Sequence, residues 1–180
     1  ARLIPELDAL WGVPQPAKFH PEIDTGVHIM LVVDYAAQQG LSLPIRFAAL
    51  LHDLGKGTTD PAIWPRHHGH EERGIALVKK VCERLKVPTD CRDLAIMTAR
   101  DHGNGGRSQE MRAATLQEML ERNDAFRKPP RFLATLTAAE SDCFGRSGLE
   151  DIQFPQVAFL SAVLNAALSV NAGEVAQKFL

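Results

Sequence analysis

The chain has 180 residues, of which 45% are hydrophobic and 23% charged, and its formal net charge is −2. This length suffices for one domain with a sizeable core, and this composition excludes a disordered chain. The slight negative charge argues against a protein that coats nucleic acid, and no apolar run is long enough to span a membrane. Because the first residue is Ala1, we expect a piece of a longer protein.

The three cysteines, Cys82, Cys91 and Cys143, are odd in number and have no C-x-x-C spacing. This pattern predicts neither a disulfide framework nor a cysteine zinc site. Free thiols are typical of a reducing compartment, so we expect a cytoplasmic protein. Glu6 and Asp8 interrupt the first apolar stretch, which is not typical of a secretory signal.

Apolar residues recur with helical spacing almost throughout the chain, and no alternating strand pattern is present. We therefore predict an all-α helical bundle, with residues 1–180 in a single domain. In chain order, the predicted helices run from caps at Asp24 and Thr25 to Ala37, from about Ile45 to Asp53, from near Gly69 to Leu85, from caps at Thr89 and Asp90 to about Arg100, from about Thr115 to Glu121, from Pro129 to about Phe144, and from Gln156 to Val170.

A last helix is predicted to begin at Glu174, and the glycine-rich stretch Gly103–Gly106 is predicted to be a loop. Two longer non-helical stretches, 13–23 and 56–68, flank most of the histidines, and long loops in a compact domain are often functional. The apolar helix at Gln156–Val170 is expected in the core, although a homodimer interface is the alternative.

The central string is His52-Asp53-Leu54-Gly55-Lys56, at the end of a predicted helix. Taken alone, a histidine in such a place can simply interact with the helix dipole. The apolar run that precedes it predicts that His52 and Asp53 are half-buried and need partners. Lys56 follows a permissive glycine, from which its ammonium could reach a phosphate oxygen.

Two further residues extend this pair to a possible metal site. His28 and Asp142 each lie in a mostly apolar helix, and each taken singly is typical of a satisfied structural residue. Together with His52 and Asp53 they would form a mixed set of imidazole and carboxylate ligands. Such a set suits Mn, Fe, Co, Ni or Zn, with Mg possible.

The order His28 … His52-Asp53 … Asp142 resembles the HD superfamily of metal-dependent phosphohydrolases. Longer strings resemble bacterial CCA-adding tRNA nucleotidyltransferases: PEIDTGVH at 21–28, HDLGKG at 52–57, WPRHHGH at 64–70, and ESD at 140–142 followed by Gly145, Arg146 and Gly148. The resemblance runs from about Leu3 to at least Pro155. It departs at His102, which is followed by Gly103 where those enzymes often carry an aspartate.

The resemblance implies an HD-domain helical bundle in which His28, His52, Asp53 and Asp142 hold one divalent ion. It also implies hydrolysis of 2′,3′-cyclic phosphates, 2′-nucleotides and other phosphoesters of nucleotides or RNA ends. Asp53 and Lys56 are then the expected catalytic residues, and the expected substrate contacts are Lys56, His67, His70, His102 and Arg146. In some HD proteins extra histidines hold a second ion, a role open here to His70 and His102.

Two alternatives remain at this point. No Gly-Gly followed by a D-x-D pair is present, so the nucleotidyltransferase head of the CCA-adding enzymes is missing from these 180 residues. The chain could be a non-catalytic module that helps such an enzyme to hold tRNA, which the arginine-rich middle of the sequence would favour. It could also be a stand-alone HD nucleotidase, which only the broader superfamily suggests.

Overall fold

The architecture is helical in the residues that the structure describes, which in this computed structural model are 3–148, 152–170, Gly173 and Gln177. No strand occurs among them, and one isolated bridge pairs Pro14 with Asp24. The helices are α1 (Pro5–Asp8), α2 (Thr25–Gln38), α3 (Leu43–Leu51), α4 (His70–Leu85), α5 (Thr89–Gly106), α6 (Ala113–Arg122), α7 (Pro129–Phe144) and α8 (Gln156–Leu168). Short 3-10 turns lie at Leu54–Thr58, Pro61–Ile63 and Ser108–Glu110. The all-α prediction is confirmed.

Local chemistry explains where the helices near the histidines begin and end. The Asp24 side chain accepts a hydrogen bond from the backbone N–H of Val27, so it caps α2 as predicted. Helix α3 ends at Leu51, and Asp53 turns away with φ −106° and ψ 11°. The next turn packs so closely on α4 that a Cβ at Gly55 would lie 1.9 Å from the carbonyl oxygen of His70. Glycine is therefore required there.

Helix α5 corrects the sequence-based prediction at its carboxyl end. The predicted end at Arg100 and the predicted loop Gly103–Gly106 are wrong, since α5 continues through Gly106. Gly105 is buried and faces Ala139 of α7, where a Cβ on the glycine would approach the alanine Cβ to 3.6 Å. Packing of α5 on α7 therefore outweighs the cost of about 1 kcal/mol per glycine in a helix.

Smaller differences from the predicted elements occur elsewhere in the chain. The short helix α1 was not predicted, α8 ends at Leu168 rather than at Val170, and α5 has no side-chain cap at its start. The helix predicted from Glu174 lies outside the described residues.

The buried apolar residues form two clusters. The larger joins α2, α3, α4, α5 and α7, with Ile29, Leu51, Val78, Ala95 and Ala138 among its members. The smaller joins α6, α7 and α8, where Leu160 and Leu164 are buried as predicted. The three cysteines are buried free thiols. In the described part of the chain, the helices lack the length and apolar character of a membrane span.

A buried carboxylate joins the end of α5 to the segment around α6. Asp101 accepts hydrogen bonds from Arg122, from Asn123 Nδ2 at 2.9 Å, from Arg100 Nε at 3.0 Å and from Asn104 Nδ2 at 3.2 Å. Burial alone would raise the pKa of Asp101, but these donors outweigh it and hold the pKa below its ordinary value. The charged form of Asp101 therefore stabilises the fold next to His102.

We expect Asp101→Asn to lower the free energy of unfolding by about 2 kcal/mol at neutral pH, less than for a fully buried pair because Arg122 is partly exposed. Because the folded-state pKa is lowered, the contribution is present above the ordinary aspartate pKa and is lost as the pH falls through the lowered value. Denaturant unfolding of both proteins across this pH range measures it. Asp34→Asn, at an exposed position of α2, is the control, and a difference independent of pH would contradict the account.

Candidate metal centre

Four side chains that the sequence analysis singled out meet at one buried point. His28 comes from α2, His52 and Asp53 follow the end of α3, and Asp142 lies on α7. His28 Nε2 is 3.0 Å from Asp142 Oδ1 and 3.9 Å from Asp53 Oδ2. His52 Nε2 is 3.3 Å from Asp53 Oδ2 and 3.8 Å from Asp142 Oδ1. Each of the four is at most 7% exposed, so they form a compact group shielded from water.

The ring nitrogens in this group are oriented by their outer partners. His52 Nδ1 lies 2.7 Å from the carbonyl oxygen of Ala49, which can only accept, so Nδ1 carries the proton and Nε2 presents its lone pair. His28 Nδ1 lies 2.8 Å from Oε1 of Glu22, a carboxylate that is 2% exposed. This carboxylate–histidine pairing is typical of histidines that bind a metal through the other nitrogen.

Several of the inward-facing atoms have no hydrogen-bond partner among the described residues. They are buried and include Nε2 of His28, Nε2 of His52 and Oδ1 of Asp53. A buried polar atom without a partner costs about 1–3 kcal/mol, and converging acceptors also repel one another. A divalent cation would satisfy these atoms together, so the residues present fit a metal ion.

Charge around the group also favours a cation. Burial would raise the pKa of Asp53, but Lys56 and the nearby histidines hold it well below its ordinary value. Burial likewise opposes ionisation of Asp142, whose pKa is held well below the ordinary range mainly by Arg146. Burial would lower the pKa of His28, yet contact with Asp142 and Glu22 raises it to about 9. Apart from the His28 ring, three carboxylates, Glu22, Asp53 and Asp142, face the two fixed cations Lys56 and Arg146. A metal ion at His28 would replace the proton that this raised pKa reflects.

The two basic residues are bound to the carboxylates of the group. Lys56 Nζ lies 2.5 Å from Asp53 Oδ2 and 2.5 Å from Oε1 of the buried Gln15. Arg146 Nη2 lies 3.2 Å from both oxygens of Asp142. Both cations therefore stand at the edge of the site, where they also line an adjoining cleft.

The other oxygen of Asp53 faces a second pair of histidines. His70 Nε2 is 3.2 Å and His102 Nε2 is 3.4 Å from Asp53 Oδ1, and the two nitrogens are 3.4 Å apart. Their Nδ1 atoms lie 2.8 Å from the His67 carbonyl and 3.1 Å from the Thr98 carbonyl, so each Nδ1 donates and, in the neutral ring, each Nε2 is an acceptor. Three acceptors thus converge on a second point, which a proton or a cation would stabilise.

His67 lies apart from this arrangement. Its Nε2 is 2.9 Å from the carbonyl oxygen of Pro14, and its Nδ1 is 3.0 Å from the hydroxyl of Thr59. Because both ring nitrogens have partners within the fold, neither is free for a substrate. Burial lowers the pKa of His67, consistent with a neutral ring that supports the loop.

Several residues that surround the site carried no signal in the sequence. Glu22 and Gln15 lie in the segment before α2, where no periodicity indicates which side chains turn inward. Arg107 follows the end of α5 and lines a cleft of about 360 Å³ together with Lys56, His70, Asp142 and Arg146. Phe19 lines the same cleft. Of these residues, only Glu22 lies in a segment that resembles the CCA-adding enzymes, residues 21–28, and no role was predicted for it.

Comparison with known proteins places this geometry in a family. Residues 25–129 match the family described as "HD domain", a range that contains His28, His52, Asp53, His70 and His102. No solved structure matches the chain.

Curated relatives are similar in sequence over nearly the whole chain. "Multifunctional CCA protein" of Herminiimonas arsenicoxydans is 64% identical over 175 residues, which are 97% of this chain and 42% of that protein. Proteins of the same name from Janthinobacterium sp. (strain Marseille) and Burkholderia ambifaria (strain MC40-6) are 64% and 60% identical, over 98% of this chain and 42% and 43% of their own lengths. The chain thus spans less than half the length of these relatives. The matched range covers more than half of the chain and holds the His52-Asp53 pair at the centre of the site, so the chain belongs to the HD domain family.

Proposed function

We propose that this chain is a metal-dependent phosphohydrolase domain that acts on nucleotide phosphoesters. Its substrates would include 2′,3′-cyclic phosphodiesters, 2′-nucleotides and other phosphomonoesters. The observation that carries the proposal is the set of buried imidazole and carboxylate atoms that converge without hydrogen-bond partners. Such a set in a water-poor pocket beside a cationic cleft is suited to an ion and a phosphoryl group together.

The ligands proposed for the ion are His28, His52, Asp53 and Asp142, whose facing atoms lie 3.0–3.9 Å from one another in the contacts given above. Two imidazoles with two carboxylates suit Ni, Mn, Co, Fe or Zn better than Mg, which prefers oxygen ligands and retained water. A bound ion would lower the pKa of a coordinated water and polarise a phosphoryl oxygen.

The remaining roles belong to the side chains of the cleft. Asp53 keeps its charge in the buried site, and Lys56 donates to it from a position that also lines the cleft. Arg146 orients Asp142 in the same way and, with Lys56, stabilises negative charge on a transferred phosphoryl group. His70 and His102 line the cleft, where they can contact substrate.

We further propose that Asp53, His70 and His102 can hold a second ion. Their ligand atoms lie close enough together to bind one metal. In this arrangement Asp53 would bridge two sites through its two oxygens. The absence of an aspartate after His102 does not remove an acid from this point, because Asp53 supplies one.

The relatives' name suggests the context of the activity. We propose that the domain belongs to a tRNA nucleotidyltransferase and serves the synthesis or repair of tRNA CCA ends, with tRNA as the partner of the longer protein. The cytoplasm is the compartment that such a role requires.

The alternative of a non-catalytic tRNA-holding module receives less support. Much of the arginine-rich middle of the chain is used in ion pairs within the fold: Arg100 and Arg122 with Asp101, and Arg131 with Asp93 and Asp124. A face that binds RNA through phosphate needs several cations that are free to release counterions. Steep loss of tRNA binding with salt, without phosphoester turnover, would favour this module.

We expect His52→Gln to lower the affinity for Mn²⁺ or Ni²⁺ by more than about 100-fold. Loss of a direct ligand should cost more affinity than loss of a residue that only orients a ligand, which usually costs about 10–100-fold. Turnover of 2′,3′-cyclic AMP should be lost with it. Metal content of stripped and reloaded protein, together with turnover, measures both. His68→Gln is the matched control, since His68 is exposed in the same histidine-rich segment. A His52→Gln protein that keeps its metal and turnover would contradict the proposal.

We expect Glu22→Gln to weaken metal binding by about 10–100-fold, because the amide no longer fixes the proton on His28 Nδ1 or adds negative charge. Titration calorimetry with Mn²⁺ measures this change, and Glu72→Gln, at an exposed position of α4, is its control. Unchanged affinity in a folded Glu22→Gln protein would show that the 2.8 Å contact does not orient the ligand.

A further inference from the structure

Two cavities adjoin at the proposed site. One is the cleft of about 360 Å³ already described, which is lined by charged and imidazole side chains. The other has a volume of about 380 Å³ and reaches from the site toward the start of α8. The two share six lining residues, among them Phe19, His102, Asp142 and Arg146. A ligand that places a phosphoryl group in the first cavity can therefore extend into the second.

The second cavity differs from the first in its chemistry. Phe154, Ile152 and Ala139 line it together with Phe19, so that two aromatic rings and aliphatic groups face one space. Phe19 is 54% exposed although it is a large apolar residue, and it belongs to both cavities. Lys18 Nζ lies 5.4 Å from the centre of its ring and adds positive charge at this edge.

A polar group also lies in this apolar wall. Gln156, the first residue of α8, donates from Nε2 to the carbonyl oxygen of Gly106 at 3.0 Å, which fixes the orientation of its amide. Its Oε1 is buried and has no hydrogen-bond partner among the described residues. Because Gln156 lines the cavity, its amide adds a polar group to a largely apolar lining, a combination that suits a flat heteroaromatic ring.

Arg107 stands where the two cavities meet. It lines both, its side chain is exposed, and no ion pair or side-chain hydrogen bond holds it among the described residues. Its position contrasts with Arg100 and Arg122, which are tied to Asp101. A free guanidinium at this junction suits a phosphate or ribose oxygen between the two cavities.

We propose that the second cavity is a nucleobase subsite, in which Phe19 and Phe154 stack on the base and Gln156 lies at its polar edge. The ligand is thus a nucleoside phosphoester, with its phosphoryl group beside Asp142 and Arg146 and its base against the apolar wall. This inference rests on the proposed hydrolysis of phosphoesters at the same site and adds the part of the substrate that sets selectivity. Stacking on aromatic side chains is the common way in which proteins hold an unpaired base.

The test compares 2′,3′-cyclic AMP with the 2′,3′-cyclic phosphate of methyl riboside, which lacks the base. The wild-type protein should have the higher kcat/KM for the nucleotide, and Phe19→Ala should lower the ratio of the two values about tenfold, as expected for loss of one stacking ring. Phe154→Ala should lower the same ratio. Ile63→Ala, which removes an exposed apolar residue that lines neither cavity, should leave it unchanged.

Equal kcat/KM values for the two substrates in the wild-type protein, or an unchanged ratio in Phe19→Ala, would overturn the subsite. Absence of turnover of both substrates would instead count against the proposed function. In that case the dissociation constant of adenosine 2′-monophosphate, compared with that of ribose 5-phosphate, decides about the subsite separately. The subsite is supported if the protein binds the nucleotide more tightly than ribose 5-phosphate and if Phe19→Ala weakens nucleotide binding about tenfold. Equal dissociation constants for the two ligands would overturn the subsite.

Discussion

The constraint on which the rest of this structure depends is the burial of Asp53 among imidazole nitrogens, which as neutral rings offer it lone pairs, with Lys56 as a hydrogen-bond donor at one oxygen. Its two oxygens face four histidine nitrogens from α2, α4, α5 and the end of α3. Burying acceptors against acceptors is unfavourable unless protons or cations lie between them. The larger hydrophobic cluster joins the helices that carry these groups. Burial of apolar side chains therefore offsets the repulsion between the buried acceptor atoms.

Contacts around the site fix the orientation of its four imidazole rings. Backbone carbonyls of Ala49, His67 and Thr98 accept from the Nδ1 atoms of His52, His70 and His102. The carboxylate of Glu22 accepts from Nδ1 of His28 in the same way. Every Nε2 atom is thereby turned toward the interior of the site. The carbonyls of Ala49 and Thr98 belong to α3 and α5, so the orientation of two imidazoles follows from helical geometry. The carbonyl of His67 lies in the segment before α4, and only His28 needs a dedicated side chain.

Much of the fold and part of the site could be predicted from the sequence. Helical periodicity predicted the class of fold, and the cap at Asp24 predicted where α2 begins. The identity of His28, His52, Asp53 and Asp142 as a group came from their order along the chain and a family resemblance, since no spacing rule joins α2 to α7. The end of α5 could not be predicted, because four glycine or asparagine residues at 103–106 indicate a loop unless the contact between Gly105 and Ala139 is known. The sequence could not predict that three further residues meet at the site, namely Phe19, Arg107 and Gln156. The cavity that they line together exists only in the folded chain.

The central claim is that the buried acceptors around Asp53 form a cation site. Anomalous diffraction from crystals of the protein grown with Mn²⁺ tests it most directly. The account predicts an anomalous peak about 2.0–2.3 Å from Nε2 of His28, Nε2 of His52 and a carboxylate oxygen of both Asp53 and Asp142. A well-ordered site in which those four side chains keep their present contacts, with no anomalous peak between them at saturating Mn²⁺, would contradict it.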